Sequence, residues 1–233
     1  MKKSKRYVEM QALVNSEKLF TPIEAMTLLE TLPKAKFDET VELHVQLGID
    51  PRQSDQQLRG TLSLPNGTGK SIRIAVIASS DKLEGARKAG ADFVGSEDLV
   101  EQIQGGWMDF DLLITTPDMM AKVGKLGKIL GAKGLMPNPK SGTVTLNIAA
   151  AVEEFKAGKL EYKNDKAGIV HVIIGKRSFD MKKLKENFDA VYDTLVKVKP
   201  SKSKGVYIRS ISMCSTMSSG IFIEPLKVKW KEA

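Results

Sequence analysis

The sequence predicts a mixed α/β and α+β protein in two parts: a split α+β domain made from residues 1–67 and 159–233, and a three-layer α/β domain inserted between them over residues 68–158. Three observations lead there. Apolar and polar residues alternate strictly near both ends of the chain, the pattern of half-buried antiparallel strands. The middle instead interleaves short, almost continuously apolar runs with helical segments in the order β-α-β-α-β-α. The change of style falls at residues 65–70 and reverses at 157–160, and no internal repeat is visible.

Taken in order, Thr21, Pro22 and Glu24 offer a capping hydroxyl, a preset φ and a carboxylate at the positive end of a helix. It runs through Ala25, Met26, Leu28 and Leu29 to Leu32, and Pro33 stops it. From Thr40 the period becomes two. Val41, Leu43, Val45, Leu47 and Ile49 face one way; Glu42, His44 and Gln46 face the other. Residues 60–64 read as a second alternating strand and 65–69 as a turn or linker. Residues 72–78 are apolar enough to be covered on both faces. Asp81 is expected to cap a helix ending at Gly90; residues 92–94 form a short strand, Ser96 starts a helix, and 110–115 form a buried strand. Thr116, Pro117 and Asp118 repeat the hydroxyl-proline-acid helix start. Residues 160–163, 169–173 and 206–211 alternate again. Between the last two, Leu184, Phe188, Val191, Tyr192, Leu195 and Val198 make the stripe of a surface helix over 181–198.

Residues 119–152 contain no acid, although the chain holds 28, and carry Lys122, Lys125, Lys128, Lys133 and Lys140. Glycines recur every few residues, so backbone approach is cheap and a long regular helix past Gly131 is not expected. A polyanion is the natural ligand of such a stretch; a solvated loop is the bland alternative. The net charge of +8 points the same way, toward nucleic acid or an anionic surface.

Other signals are weaker. The single Cys214 excludes an internal disulfide and a multi-thiolate metal site, and fits a reducing compartment. No 18 apolar residues follow one another, and the basic start gives way to Tyr7, Val8 and Glu9, so neither a membrane span nor a signal peptide is expected. Gly67, Gly69, Lys70 and Ser71 miss the phosphate-loop spacing, because Leu64 stands where the first glycine belongs and the segment precedes a strand. His44 and His171 fall on polar or mixed strand positions far from Cys214 in sequence and read as surface or satisfied histidines. Phe37, among charges at a strand start, is either a core residue or an exposed contact. No catalytic residue, metal or cofactor is expected. A nucleotide-dependent enzyme on the middle domain is the competing reading; a DNA-binding repressor lacks its helix-turn-helix.

Several segments together resemble the large-subunit ribosomal protein L-one family, the mobile-stalk protein beside the tRNA exit site. They are Lys36 with Phe37, Thr40 and Glu42; Leu47 with Asp50, Pro51 and Arg52; Gly106 to Asp111; Thr116 to Asp118; Gly134, Leu135, Met136, Pro137, Asn138, Pro139 and Lys140; and Asn164 to Lys166. The resemblance covers nearly all of residues 6–223 in one order. It implies that the flanks form the rRNA-binding domain and that the middle is Rossmann-like. It also implies rRNA contacts by Lys36, Phe37, Thr40, Glu42, Lys166, Gly168, Thr216, Met217 and Ser218, with secondary phosphate contacts from Lys122, Lys125, Lys128, Lys133 and Lys140. The implied partners are large-subunit rRNA, exit-site tRNA, other ribosomal components and the protein's own mRNA leader, as a translational repressor; no membrane is implied.

Two departures bear on that expectation. Ser218 and Ser219 stand where the family usually has glycine and proline, and Ala132 with Lys133 stands where it tends to have proline and arginine. The first puts a tight backbone approach at stake; the second replaces a planar fork by a point charge. Only seven of the 36 basic residues are arginine, which suggests A/T-rich coding. With residues 155–161 and 168–172, which look most like the cyanobacterial and plastid branch, this favours a plastid (chloroplast) ribosome over a bacterial one.

Overall fold

In the computed structural model, residues 4–15 and 17–225 are described; residues 1–3 of the basic start and 226–233 of the second flank lie outside them. Contacts divide the chain into an outer unit, Met1–Gly69 with Tyr162–Ala233, and a middle unit, Lys70–Glu161.

The outer unit opens with α1 (Lys5–Leu13), which periodicity does not reveal because it buries only Met10; Ser4 caps it by accepting from the Tyr7 N–H. Helix α2 (Pro22–Thr31) starts on the capping box expected of Thr21 and Glu24: the Glu24 carboxylate accepts the Thr21 N–H at 2.8 Å, and the Thr21 hydroxyl accepts the Glu24 N–H at 3.3 Å. β1 (Thr40–Leu47) alternates half-buried and buried residues along its whole length, as its sequence predicts. β2 (Arg59–Ser63) pairs with β6 (Lys159–Lys163) in a separate ribbon, and the Leu58 N–H donates to Asn164 Oδ1 at 2.7 Å. The main sheet has the order β7 (Ile169–Lys176), β1, β8 (Ile208–Ser215), β9 (Ile221–Ile223), all antiparallel. α8 (Met181–Lys197) packs on β7, and α2 on α8, β8 and β9. The helices thus account for one face of the sheet, where Val41, Leu43, Val45, Val170, Val172, Ile211 and Met213 are buried.

Two details of packing bear on β1 and β7. A Cβ on Gly48 would lie 2.2 Å from the Val206 carbonyl oxygen, so only glycine lets β1 turn away beside that backbone. Buried Asn187 on α8 donates to the Gly67 and Ile174 carbonyls at 2.9 and 2.8 Å and accepts the Asn66 N–H at 3.1 Å. It satisfies backbone groups of β7 and of the 65–69 turn at once.

In the middle unit β3 (Ile74–Ile77) lies between β4 (Phe93–Gly95) and β5 (Leu112–Thr115), all parallel. Successive residues of β3 serve opposite faces. Ile74 and Val76 pack with Ala86 of α3 (Ser80–Lys88) and with Ile148, Val152 and Phe155 of α7 (Ile148–Lys156). Ala75 and Ile77 pack with Leu99 and Ile103 of α4 (Glu97–Gln104), Val123 of α5 (Met120–Val123), and Leu130 of α6 (Gly127–Ala132). This is the three-layer arrangement that a strand without polar alternation requires. One expected cap is corrected: Ser79 holds the N-cap position of α3. Asp81 lies in the first turn, and the Ser79 hydroxyl beside it holds its carboxyl below the usual value.

Asp111 closes the strand starts of this unit. It accepts from Lys70 Nζ at 2.8 Å and from the Arg73 backbone N–H and Nε at 3.1 and 3.2 Å. Lys70 above all, and then Arg73, hold its carboxyl at about 2 against the opposing effect of burial. A depressed carboxyl stabilises the fold above its unfolded value of 3.8 and ceases to do so as pH falls through about 2. Asp111→Asn is therefore expected to lower stability by about 1–2 kcal/mol at neutral pH, given an exposed Lys70 partner. The gap from the parent should close between those two pH values, as read from denaturant midpoints along a pH series.

Candidate nucleic-acid interface

The face of the main sheet opposite the helices is half exposed and polar. It presents Glu42, His44 and Gln46 from β1, Ser210, Ser212 and Cys214 from β8, and His171 from β7, with Phe222 and Ile173 as its exposed apolar members. Register sets these neighbours: Glu42 stands opposite Cys214, and His44 opposite both His171 and Ser212. The even-numbered positions of β1 face here because side chains alternate across a strand.

At the Thr40 end of β1 two loops are locked together. The Thr40 N–H donates to Thr216 Oγ1 at 2.9 Å, and the Thr216 N–H donates to the Thr40 carbonyl at 3.0 Å. Beneath them lies Glu39, 1% exposed. Its carboxylate accepts the Ala35 N–H at 2.7 Å, the Met217 N–H at 3.3 Å and a short hydrogen bond from the Ser215 hydroxyl, with Arg177 Nη1 at 3.5 Å. Burial alone would raise this carboxyl; Ser215, the two backbone N–H groups and Arg177 together hold it below its ordinary value of 4.5. Arg177 in turn donates to the Leu29 and Leu32 carbonyls at the end of α2. One buried carboxylate thus couples α2, the 35–39 turn and the 215–218 turn.

What these turns display is apolar and unsheltered. Phe37 is 55% exposed and Met217 50% exposed, so the core reading of Phe37 is overturned. Lys36 and Thr216 are exposed beside them. Ser218 does not present its hydroxyl outward: it accepts from the Ser215 N–H at 2.8 Å and lies 3.1 Å from the Ser219 carbonyl. No non-glycine described residue has a positive φ, so Ser218 and Ser219 are accommodated in an ordinary turn that Ser218 staples.

Lys166 and Gly168 sit at the other end of β1. Lys166 is exposed on the turn between β6 and β7. Gly168 (φ +79°) is buried; its carbonyl accepts the Leu47 N–H at 2.9 Å and its own N–H is directed to the Asp165 carbonyl at 3.3 Å. It shapes the turn that displays Lys166 and does not itself offer a free polar group. From Thr40 to Leu47 the strand spans roughly 24 Å at about 3.4 Å per residue, so the predicted contacts mark the two ends of one elongated polar face.

The lysines of the acid-free stretch belong to the middle unit. Lys122 is paired with Glu97 of α4, a carboxylate from outside the stretch. Lys125, Lys128, Lys133 and Lys140 are exposed and have no carboxylate partner among the described residues. They ride on short helical pieces and glycine turns, Gly134 having φ +72°.

Three residues that sequence distance separates meet on the open face. His44 Nδ1 lies 2.8 Å from His171 Nδ1, and His44 Nε2 lies 3.3 Å from Cys214 Sγ. Burial and the His171 imidazole lower His44, with Glu42 pulling the other way; burial and Glu42 push Cys214 up to about 11. No sequence signal short of correct strand pairing would bring these groups together.

An uncovered polar sheet face, bordered by loops displaying an aromatic ring, a thioether and lysines, is the build of an RNA-binding protein. The chain belongs to the ribosomal protein L1p/L10e family, whose pattern matches residues 28–219. It is thus a structural, rRNA-binding protein of the large ribosomal subunit, in a family of ribosomal components rather than enzymes.

Proposed function

We propose that the outer unit grips the folded rRNA of the ribosomal stalk and that the middle unit adds diffuse phosphate contacts while deacylated tRNA leaves the exit site. The observation that carries this is the Glu39-centred junction, which fixes Phe37 and Met217 at one end of the open polar face while Lys166 marks the other. RNA is recognised by shape, stacking and 2′-hydroxyl contacts, and this face offers all three. Phe37 and Met217 supply apolar surface for splayed bases. Glu42, Thr40 and Thr216 are hydrogen-bonding groups placed for 2′-hydroxyls or base edges, and Lys36 and Lys166 flank them for phosphates. An mRNA leader that copies the stalk's shape would compete for the same face, which is how the protein would repress its own synthesis. The lysine bias and the branch-like segments favour a plastid ribosome over a bacterial one.

The lysines of the middle unit supply affinity without sequence choice. Replacing Lys125, Lys128, Lys133 and Lys140 together by glutamine is expected to flatten the log–log salt dependence of binding to loosely paired RNA, by about 0.7 for each phosphate no longer neutralised. Lys122→Gln, which removes an already paired charge, should leave the slope nearly unchanged. Filter binding across a salt series measures both; an unchanged slope in the fourfold variant returns the stretch to a solvated loop.

A further inference from the structure

We propose that Glu42, His44 and Cys214 form a site for a borderline-soft divalent cation of the zinc type, with His171 and Asp165 holding His44 in the ligating tautomer. This goes beyond RNA binding and does not depend on it.

The register of the sheet builds the donor set. Glu42 and His44 are two residues apart on β1 and share its open face, and Cys214 stands directly opposite Glu42 on β8. One carboxylate oxygen, one imidazole nitrogen and one sulfur lie within 4.8 Å of one another. His44 Nε2 is 3.3 Å from Cys214 Sγ and 3.9 Å from Glu42 Oε2. With metal–nitrogen and metal–oxygen distances of about 2.0–2.2 Å and metal–sulfur of about 2.3 Å, a tetrahedral ion needs its ligand atoms roughly 3.3–3.7 Å apart. The imidazole and thiol are already there; the carboxylate, on a flexible, 40% exposed side chain, needs a shift of about an ångström. The fourth position faces solvent and would take water.

The proton positions follow from the partners. His171 Nε2 lies 3.5 Å from the Asp165 carboxylate, so its N–H belongs on that side and its Nδ1 carries a lone pair. That lone pair, 2.8 Å away, accepts the His44 Nδ1–H. His44 is then left with an unprotonated Nε2 aimed at Cys214 and Glu42. A ligating histidine whose other nitrogen donates to a second group is the usual supporting arrangement of a metal site. Asp165 is itself fixed by the Ile169 and Ala167 N–H groups at 2.7 and 2.9 Å. On binding, Cys214 releases its thiol proton to solvent and a metal–sulfur bond forms; no oxidant or reductant is involved. The mixed nitrogen, sulfur and oxygen donors suit zinc or cobalt over magnesium or calcium.

The test uses the full-length, untagged, metal-free protein in reductant, titrated with Co²⁺ and then with Zn²⁺. The expected result is one cobalt per chain with a thiolate-to-cobalt charge-transfer band and four-coordinate visible absorption, both abolished by one equivalent of zinc. Cys214→Ser should lose the charge-transfer band, and His44→Gln should weaken binding at least tenfold. His171→Ala and Asp165→Asn should keep the band while weakening binding by about 10–100-fold, the range for residues that orient a ligand. The parent spectrum needs no variant and decides the main point. Cobalt bound without a charge-transfer band, or not bound at all, overturns the site; a band unchanged in His44→Gln overturns the ligand set; unchanged affinity in both orienting variants overturns the tautomer chain.

Discussion

Glu39→Gln is expected to destabilise the outer unit by about 3–5 kcal/mol, because it strips the buried Arg177 of its counter-charge. It also withdraws the acceptor shared by the Ala35 and Met217 N–H groups and the Ser215 hydroxyl. An amide of the same size keeps one oxygen, but it presents N–H donors where the pocket already supplies donors. The sign of the pH dependence follows. Because the folded-state carboxyl is held below 4.5, its stabilisation is fully present above that value and is lost as pH falls through the folded value. Parent and variant should therefore converge in acid and differ most near neutrality, which equilibrium denaturation at several pH values reads directly. RNA affinity should fall with the variant even under conditions where it is folded, since Phe37 and Met217 are displayed by turns that Glu39 joins. A loss below about 1 kcal/mol would show that the junction is held by the strands alone.

The next largest effect belongs to Asn187→Ala. Its side chain is fully buried and serves two carbonyls and one N–H. Truncation leaves the Gly67 and Ile174 carbonyls and the Asn66 N–H without that partner, at about 1–3 kcal/mol for each group that water cannot reach. Allowing for partial hydration of the turn, a loss of about 3 kcal/mol is expected. The 65–69 turn should also become more open to proteolysis, because Asn66 would keep only its side-chain bonds to Glu186 and the Lys183 carbonyl. Denaturant midpoints and limited proteolysis measure the two consequences, and an unchanged cleavage rate would argue that the flanking strands restrain this turn without Asn187.

How much could be read in advance depended on whether the signal was local. The alternation of residues 40–47, the capping box at Thr21 and the apolar run of β3 are each set by neighbours a few positions apart, and each element stands where its pattern predicts. Helix α1, with a single buried residue, and β9, with three residues, carry too little pattern to be seen. The pairing of Lys122 with Glu97 is not legible locally, because the two lie 25 positions apart in sequence. Glu39 was hidden for the same reason: among charged neighbours it resembles any surface acid, and only the pairing of β1 with β8 and the end of α2 makes it the buried centre of the junction between turns. His44, His171 and Cys214 required both neighbours of β1 to be known. The exposed ring of Phe37 could not be decided from composition, since an aromatic at a strand start serves either a core or a ligand.

We propose that the two loops joined at Glu39 carry the selective part of RNA binding and the lysines of the middle unit the unselective part. It is tested most directly by measuring the affinity of Phe37→Ala/Met217→Ala for stalk rRNA and for a scrambled RNA of equal length, at moderate and at raised salt. Stacking contacts are worth about 1–3 kcal/mol each. The double variant should therefore lose at least tenfold on stalk rRNA at both salt concentrations, keep its affinity for the scrambled RNA, and so lose most of its discrimination. Undiminished binding to stalk rRNA, or an equal loss on both RNAs, would contradict the account.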